Sequence, residues 1–122
     1  MIRSLLMLAG ACLASGCGAP DRSSGAWIGD MRICADKIET TRQRFDRSQG
    51  LDTLRIGFTP EAAVELRAMS EDYVDEQLPV IVNGGEIAAP KLVEPLEGTG
   101  IDLVGIRPEH LVDFLAYAKR PC

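Results

Sequence analysis

Ile56-Gly57-Phe58-Thr59-Pro60-Glu61-Ala62 joins the end of a strand pattern to the start of a helix, and this step decides the fold. Before it, the run from Leu51 to Phe58 places Leu54, Ile56 and Phe58 on one face and Arg55 and Gly57 on the other, which is the period of a strand with one buried face. After it, Thr59 can cap a helix, Pro60 fits the first helical position and Glu61 suits the positive end of the helix dipole. The step predicts a strand that leads directly into a helix.

The residues around this step predict further strands and a second helix. Ser48-Gln49-Gly50 and Asn83-Gly84-Gly85 are typical of tight hairpin turns. Pro90 and Pro95 cannot donate to a strand ladder, so residues 90–100 are predicted as an edge segment and loop. The predicted elements are strands over 38–46 and 51–58, a helix over about 60–74, strands over 78–82, 86–89 and 101–106, and a helix from Pro108. This order, β-β-α-β-β-β-α, predicts an α+β two-layer sandwich with two helices on one face of a mainly antiparallel sheet.

Composition limits the class of protein and its partners. The 122 residues include 13 Lys and Arg and 18 Asp and Glu, which gives a net charge of −5. This length suits one small domain, and a charged fraction of 25% is ordinary for a folded chain. The cations are scattered from Arg3 to Arg120, so no basic face is expected that could neutralise nucleic-acid phosphates. Nucleic acid is therefore not a predicted partner.

Residues 1–16 have the pattern of a secretory signal peptide. Arg3 precedes an apolar run over 5–13, and the small residues Ala14-Ser15-Gly16 precede Cys17. As a helix the apolar run would rise only about 14 Å, against roughly 30 Å for a bilayer core, so it is too short for a stable span. The segment that ends at Cys17 resembles a bacterial lipobox, which implies cleavage before Cys17 and acylation of its sulfur.

This pattern predicts the organisation of the chain and its location. A signal peptide over 1–16 is followed by acylated Cys17, a flexible tether that reaches to residue 29, and a folded domain over 30–122. The lipid would anchor the protein in a membrane of the bacterial cell envelope, facing the periplasm, and Gly18 after the acylated cysteine favours the outer membrane. The alternative is ordinary secretion, with Cys17 either free or in a disulfide.

Cys34 and Cys122 are predicted to form a disulfide. With Cys12 removed in the signal peptide and Cys17 acylated, they are the remaining pair in an oxidising compartment. A metal site would need neighbouring His or Cys residues, which the sequence does not supply. A free or intermolecular thiol is the alternative.

Three stretches together resemble the head of the first periplasmic domain of SecD and SecDF, accessory membrane proteins of bacterial protein export. They are Ile56–Ala62, the apolar strand and glycine turn Leu78–Gly85, and the proline-containing segment Ile87–Leu96. The resemblance implies the fold of that head, standing alone on a lipid tether, and contact with unfolded or emerging polypeptide. The membrane helices that let SecD proteins use protons have no counterpart here, so proton-driven work is not implied.

The sequence predicts no catalytic residue, no metal site and no cofactor. His110, the only histidine, is expected to face solvent at the start of the second helix. The acidic residues after the first helix lack the glycine and alternating oxygen ligands of a calcium loop; they are Glu71, Asp72, Asp75 and Glu76. We therefore expect a protein that is not an enzyme.

The predicted function is that of a binding module for protein or extended polypeptide, linked to protein export or envelope biogenesis. The apolar segment that follows the glycine turn is expected to bind a peptide by strand addition, because it combines apolar residues with prolines at a sheet edge. Its candidate contact residues are Ile87, Ala88, Ala89, Leu92 and Val93. The alternative is a structural subunit of an envelope complex with one fixed protein partner.

Overall fold

The computed structural model describes residues 21–122. The predicted signal peptide and the predicted acylation of Cys17 lie outside these residues. The elements in chain order are β1 (Ala26–Ile28), β2 (Met31–Ile33), β3 (Ile38–Asp46), β4 (Leu51–Phe58), α1 (Pro60–Ser70), β5 (Val80–Val82), β6 (Gly85–Ala88), β7 (Gly100–Ile106) and α2 (Pro108–Ala118). Single turns of 3₁₀ helix cover Ala35–Lys37 and Glu71–Tyr73.

The predicted step from strand to helix is confirmed. The side chain of Thr59 accepts a hydrogen bond from the backbone N–H of Ala62 at 3.2 Å, which satisfies one of the free donors of the first turn of α1. The predicted turn at Asn83 and Gly84 is also present, with φ angles of 51° and 83°. Two consecutive positive φ angles match the twist of a two-residue hairpin, here between β5 and β6.

The α+β class is confirmed, and the strands divide between two antiparallel sheets. One has the order β2-β1-β5-β6 and the other the order β3-β4-β7. Helix α2 contacts strands of both sheets, namely β1, β4 and β5, and α1 contacts β2 and β4. The helices therefore join the sheets through one apolar core, which includes Phe58 of β4 and Phe114 of α2.

The predicted tether of residues 17–29 extends too far. Ala26 and Ile28 are fully buried in β1, which pairs with both β2 and β5. Gly29, with a φ of 58°, makes the tight turn from β1 into β2. Each of these strands has only three residues, too few for alternation to be recognised in the sequence. The folded domain thus begins before residue 30.

The disulfide between Cys34 and Cys122 is present, with the two Cα atoms 5.2 Å apart and a sequence separation of 88. Beside it, the N–H of Ala35 donates to the carbonyl of Arg120 at 2.7 Å. The end of the chain is therefore fastened to the segment that follows β2. None of the helices within residues 21–122 has the length and apolar character needed to cross a membrane.

Candidate functional site

The predicted binding segment follows the hairpin turn at Asn83 and Gly84, but its residues differ in accessibility. Ile87, Ala88 and Ala89 are half-buried, and Ile87 and Ala88 pack against the core. Val93 is 74% exposed, whereas only 7% of Leu92 is accessible. Five residues that were expected to share one surface are thus distributed between the core, its margin and solvent.

Leu92 is not part of a free edge, which corrects the prediction. Its N–H donates to the carbonyl of Glu76 at 3.0 Å, and its carbonyl accepts from the N–H of Asp75 at 2.7 Å. Its side chain belongs to the hydrophobic core. Both its backbone groups and its side chain are therefore already occupied, because the segment after β6 folds back onto the end of α1.

β6 is the last strand of its sheet, as a binding edge requires, but its outer side is crowded. The Cα atoms of β6 and β7 approach within 8 Å of each other. Paired strands lie about 4.8 Å apart, so a further strand does not fit between them. The geometry does not support strand addition at residues 87–93.

The open edge of the other sheet is β3. It pairs with β4 on one side and is the terminal strand of its sheet. It has nine residues, of which only Ile38 is half-buried and the rest are exposed. Nine residues of strand extend roughly 30 Å. Within the part of the chain that the structure describes, this is the longest strand, and its second side is unpaired.

The direction of the backbone groups of β3 follows from its partner. The N–H of Phe58 donates to Thr99 at 2.7 Å, so even-numbered residues of β4 point their backbone groups toward β7 and odd-numbered ones toward β3. In β3, Arg42 lies opposite Arg55 and Arg44 lies opposite Thr53, so the backbone N–H and C=O groups of both arginines bond to β4. The backbone N–H and C=O groups of the intervening residues point outward; these residues are Thr41, Gln43 and Phe45.

The two faces of β3 differ in chemistry. On the face away from the helices, Arg42 and Arg44 are exposed, and Arg42 lies directly opposite Arg55. Arg55 forms a salt bridge with Asp102 of β7 at 3.0 Å. At the hairpin end, hydrogen bonds from the hydroxyl and the N–H of Ser48 lower the pKa of Asp46. This face is therefore predominantly cationic along the middle of the strand.

On its other face, β3 borders a groove with α2. The groove has a volume of about 270 Å³, and Ile38, Thr41, Leu115 and Ala118 line it together with Glu39 and Lys119. Its apolar members are half-buried or small. The groove can accept small apolar side chains from a strand laid along β3.

The groups that acid–base or metal chemistry would use are dispersed. Within residues 21–122, no three His, Cys, Asp or Glu side chains are grouped so as to hold a metal ion. The acidic residues after α1 are all exposed; they are Glu71, Asp72, Asp75 and Glu76. His110 is half-buried in the first turn of α2.

Burial, together with a hydrogen bond to Asp30, raises the pKa of Tyr73, and this bond ties the β1–β2 turn to the end of α1.

The sequence prediction missed two features of this sheet. Asp52 is 3% exposed, and its Oδ1 atom has no hydrogen-bond partner among the described residues. The other is the open edge of β3 itself. The residues Ile-Glu-Thr-Thr-Arg-Gln-Arg-Phe-Asp over 38–46 carry polar groups on both faces, which is a signal of an edge strand that could have been recognised.

Comparison with solved structures finds the same fold in two structures of SecDF. One is SecDF in a super-membrane-facing form, and the other is SecDF described as a membrane component that enhances protein export. Each aligns with 69% of this chain at a TM-score of 0.54 and 17% sequence identity. This chain spans 12% of the first SecDF chain and 39% of the second. No family model matches the chain, and no curated protein matches it.

Proposed function

We propose that this chain is a non-enzymatic binding module that pairs with extended polypeptide along β3, in the envelope of a bacterium, as part of protein export or envelope biogenesis. The likeness in fold to SecDF, one structure of which is described as enhancing protein export, supports the link to export. The observation that carries the proposal is the outer edge of β3, nine residues long and unpaired within residues 21–122.

The edge of β3 is suited to strand addition because its free backbone groups are already in strand geometry. Thr41, Gln43 and Phe45 each present an N–H and a C=O to the outer side, so an added strand can form a regular antiparallel or parallel ladder. The partner β4 is fixed in the core by fully buried Leu54 and Ile56. The edge is therefore pre-ordered, which reduces the entropy lost on binding.

Membrane attachment through Cys17 is the second part of the proposal. An acylated Cys17 would hold the module at the surface of a membrane, the outer one if Gly18 has the effect expected of it, and the residues between Cys17 and β1 would serve as a tether. Intact-mass measurement of the protein isolated from membranes tests this. Diacylglycerol and fatty-acid masses on a chain that starts at Cys17 support the anchor, and an unacylated chain that starts elsewhere contradicts it.

Gln43→Pro tests the polypeptide-binding part with little damage to the fold. Gln43 is exposed, and its N–H points away from β4, so proline removes an outward donor and leaves the β3–β4 ladder complete. Gln43→Thr is the matched control, since it changes the side chain and keeps the N–H. The probes are two fluorescein-labelled nonapeptides, one alternating Gln and Val and one alternating Glu and Val.

We expect at least one nonapeptide to bind by fluorescence anisotropy. Gln43→Pro should weaken that binding about tenfold, because one backbone hydrogen bond is lost, and Gln43→Thr should leave it nearly unchanged. Circular dichroism checks that both variants keep the fold. Failure of both peptides to bind, or equal binding to the parent and the folded proline variant, would contradict the proposal.

A further inference from the structure

We propose that the β3 edge selects polypeptide segments whose acidic side chains alternate with small apolar ones. This selectivity rests on the proposed strand addition and concerns which strand is accepted. Its basis is the pair Arg42 and Arg44, which lie two residues apart on the same face of β3 and flank the outward-pointing backbone of Gln43.

The side chains of Arg42 and Arg44 are available to a bound strand. Both side chains are exposed, and neither forms a salt bridge with any residue in the range 21–122. The neighbouring carboxylates are placed as follows. Asp102 pairs with Arg55, and Glu39 lines the groove on the other face. Asp46, two residues beyond Arg44 on the same face, accepts hydrogen bonds from Ser48, and Arg44 contributes a smaller part to the lowering of its pKa. A strand added to β3 therefore meets cationic side chains first.

The arrangement of Arg42 directly opposite Arg55 lowers the stability of the unbound hairpin. Like charges directly opposite each other on antiparallel strands destabilise the pair. A carboxylate on the added strand would lie next to Arg42 at a Cβ separation of about 5 Å and offset this repulsion. The chain as a whole carries a net charge of −5, so the cationic strip is a local feature and not a general property of the surface.

The same charges argue against a second copy of this chain as the occupant. Antiparallel pairing of two β3 edges that aligns Gln43 with Gln43 and Thr41 with Phe45 would place Arg42 of each copy opposite Arg44 of the other, and Asp46 opposite Thr40. Such clustering of like charge opposes association. These arginines would attract an acidic segment of another polypeptide, whereas they would repel a second copy of this chain.

The groove supplies the other half of the pattern. Side chains of a strand alternate between its faces, so residues between the acidic ones would point toward Ile38, Thr41, Leu115 and Ala118. A groove of about 270 Å³ accommodates several small side chains such as Ala or Val and is too small for a row of aromatic ones. The accepted segment is therefore extended, with Glu or Asp at every second position and small apolar residues between.

The test compares the Glu-Val and Gln-Val nonapeptides on the full chain and on the double variant Arg42→Glu, Arg44→Glu. Arg32→Glu is the matched control, because Arg32 is also an exposed arginine on a strand but lies in β2 of the other sheet. Thermal unfolding checks that the variants are folded. If the double charge reversal unfolds the protein, Arg42→Gln with Arg44→Gln replaces it.

We expect the parent protein to bind the Glu-Val peptide about fivefold more tightly than the Gln-Val peptide, as two exposed cross-strand ion pairs would give. The double variant should abolish or invert this preference, Arg32→Glu should retain it, and 1 M NaCl should reduce it by screening. Equal binding of both peptides to the parent would overturn the selectivity and leave strand addition standing. Concentration-dependent dimerisation of the parent that Gln43→Pro abolishes would also overturn it, by identifying a second copy as the occupant.

Discussion

The hydroxyl of Ser70 accepts a hydrogen bond from the backbone N–H of Leu96 at 2.9 Å and donates one to the carbonyl of Arg67 at 2.8 Å. Ser70 is fully buried at the end of α1. This contact fastens the segment after β6 to the helix. It is one physical reason why the segment predicted from sequence as a binding edge is instead part of the folded body.

Replacing Ser70 by Ala should destabilise the protein. The change leaves the N–H of Leu96 without this partner, at a cost of about 1–3 kcal/mol in the free energy of unfolding. Urea denaturation monitored by circular dichroism measures it. Ser48→Ala is the control, because the Ser48 hydroxyl bonds only to Asp46 at an exposed turn; an equal loss in both variants would contradict the account of the Ser70 contact.

Alanine substitutions at Gly29 and Gly50 distinguish the effect of backbone strain on stability from the effect of close packing. Both have positive φ angles, 58° and 68°, so alanine strains the backbone at either position by roughly 1 kcal/mol. A Cβ atom at Gly29 would clash with the Sδ atom of Met69 and approach Leu78 to 3.0 Å, whereas at Gly50 it would meet nothing within 4 Å. Gly29→Ala should therefore cost about 1 kcal/mol more than Gly50→Ala by thermal or urea unfolding, because the flexible end of the Met69 side chain can shift but loses packing in the core. Similar losses at the two positions would show that the β1–β2 turn is not packed against α1 as described.

Several elements could be predicted from sequence because their signals are local. Thr59 with Pro60 marks a helix start, and Asn83 with Gly84 marks a turn, whatever surrounds them. The three-residue strand at Ala26–Ile28 has no such signal, since its burial depends on pairing with β5 more than fifty residues later. The position of Leu92 could not be predicted for the same reason. It is an apolar residue between prolines, which is typical of an exposed edge, and its backbone hydrogen bonds to Asp75 and Glu76 come from a segment earlier in the chain.

The candidate site was less predictable than the fold. The expectation placed binding on apolar residues near Ala88, whereas the unpaired strand is the polar one over Ile38–Asp46. Which strand ends a sheet depends on pairings between distant segments, here β4 with β7, and these are not encoded in the residues of the edge itself. The arginines on β3 appeared scattered in the sequence and are brought beside Arg55 only by the hairpin.

Removing the disulfide should reduce stability and retain the fold. Replacing both Cys34 and Cys122 by Ala opens a loop of 88 residues and should lower the free energy of unfolding by about 2–4 kcal/mol. Urea denaturation of the double variant, compared with the oxidised and reduced parent, measures the effect. The reduced parent should resemble the double variant; if reduction changed nothing, the bridge would contribute no stability.

Residue-resolved amide hydrogen exchange of β3, with and without saturating Glu-Val nonapeptide, tests the central claim most directly. Strand addition predicts slower exchange at Thr41, Gln43 and Phe45, whose N–H groups point outward, and little change at Arg42 and Arg44, which already bond to β4. Unchanged exchange along β3 on binding, or new protection confined to β6, would contradict the account.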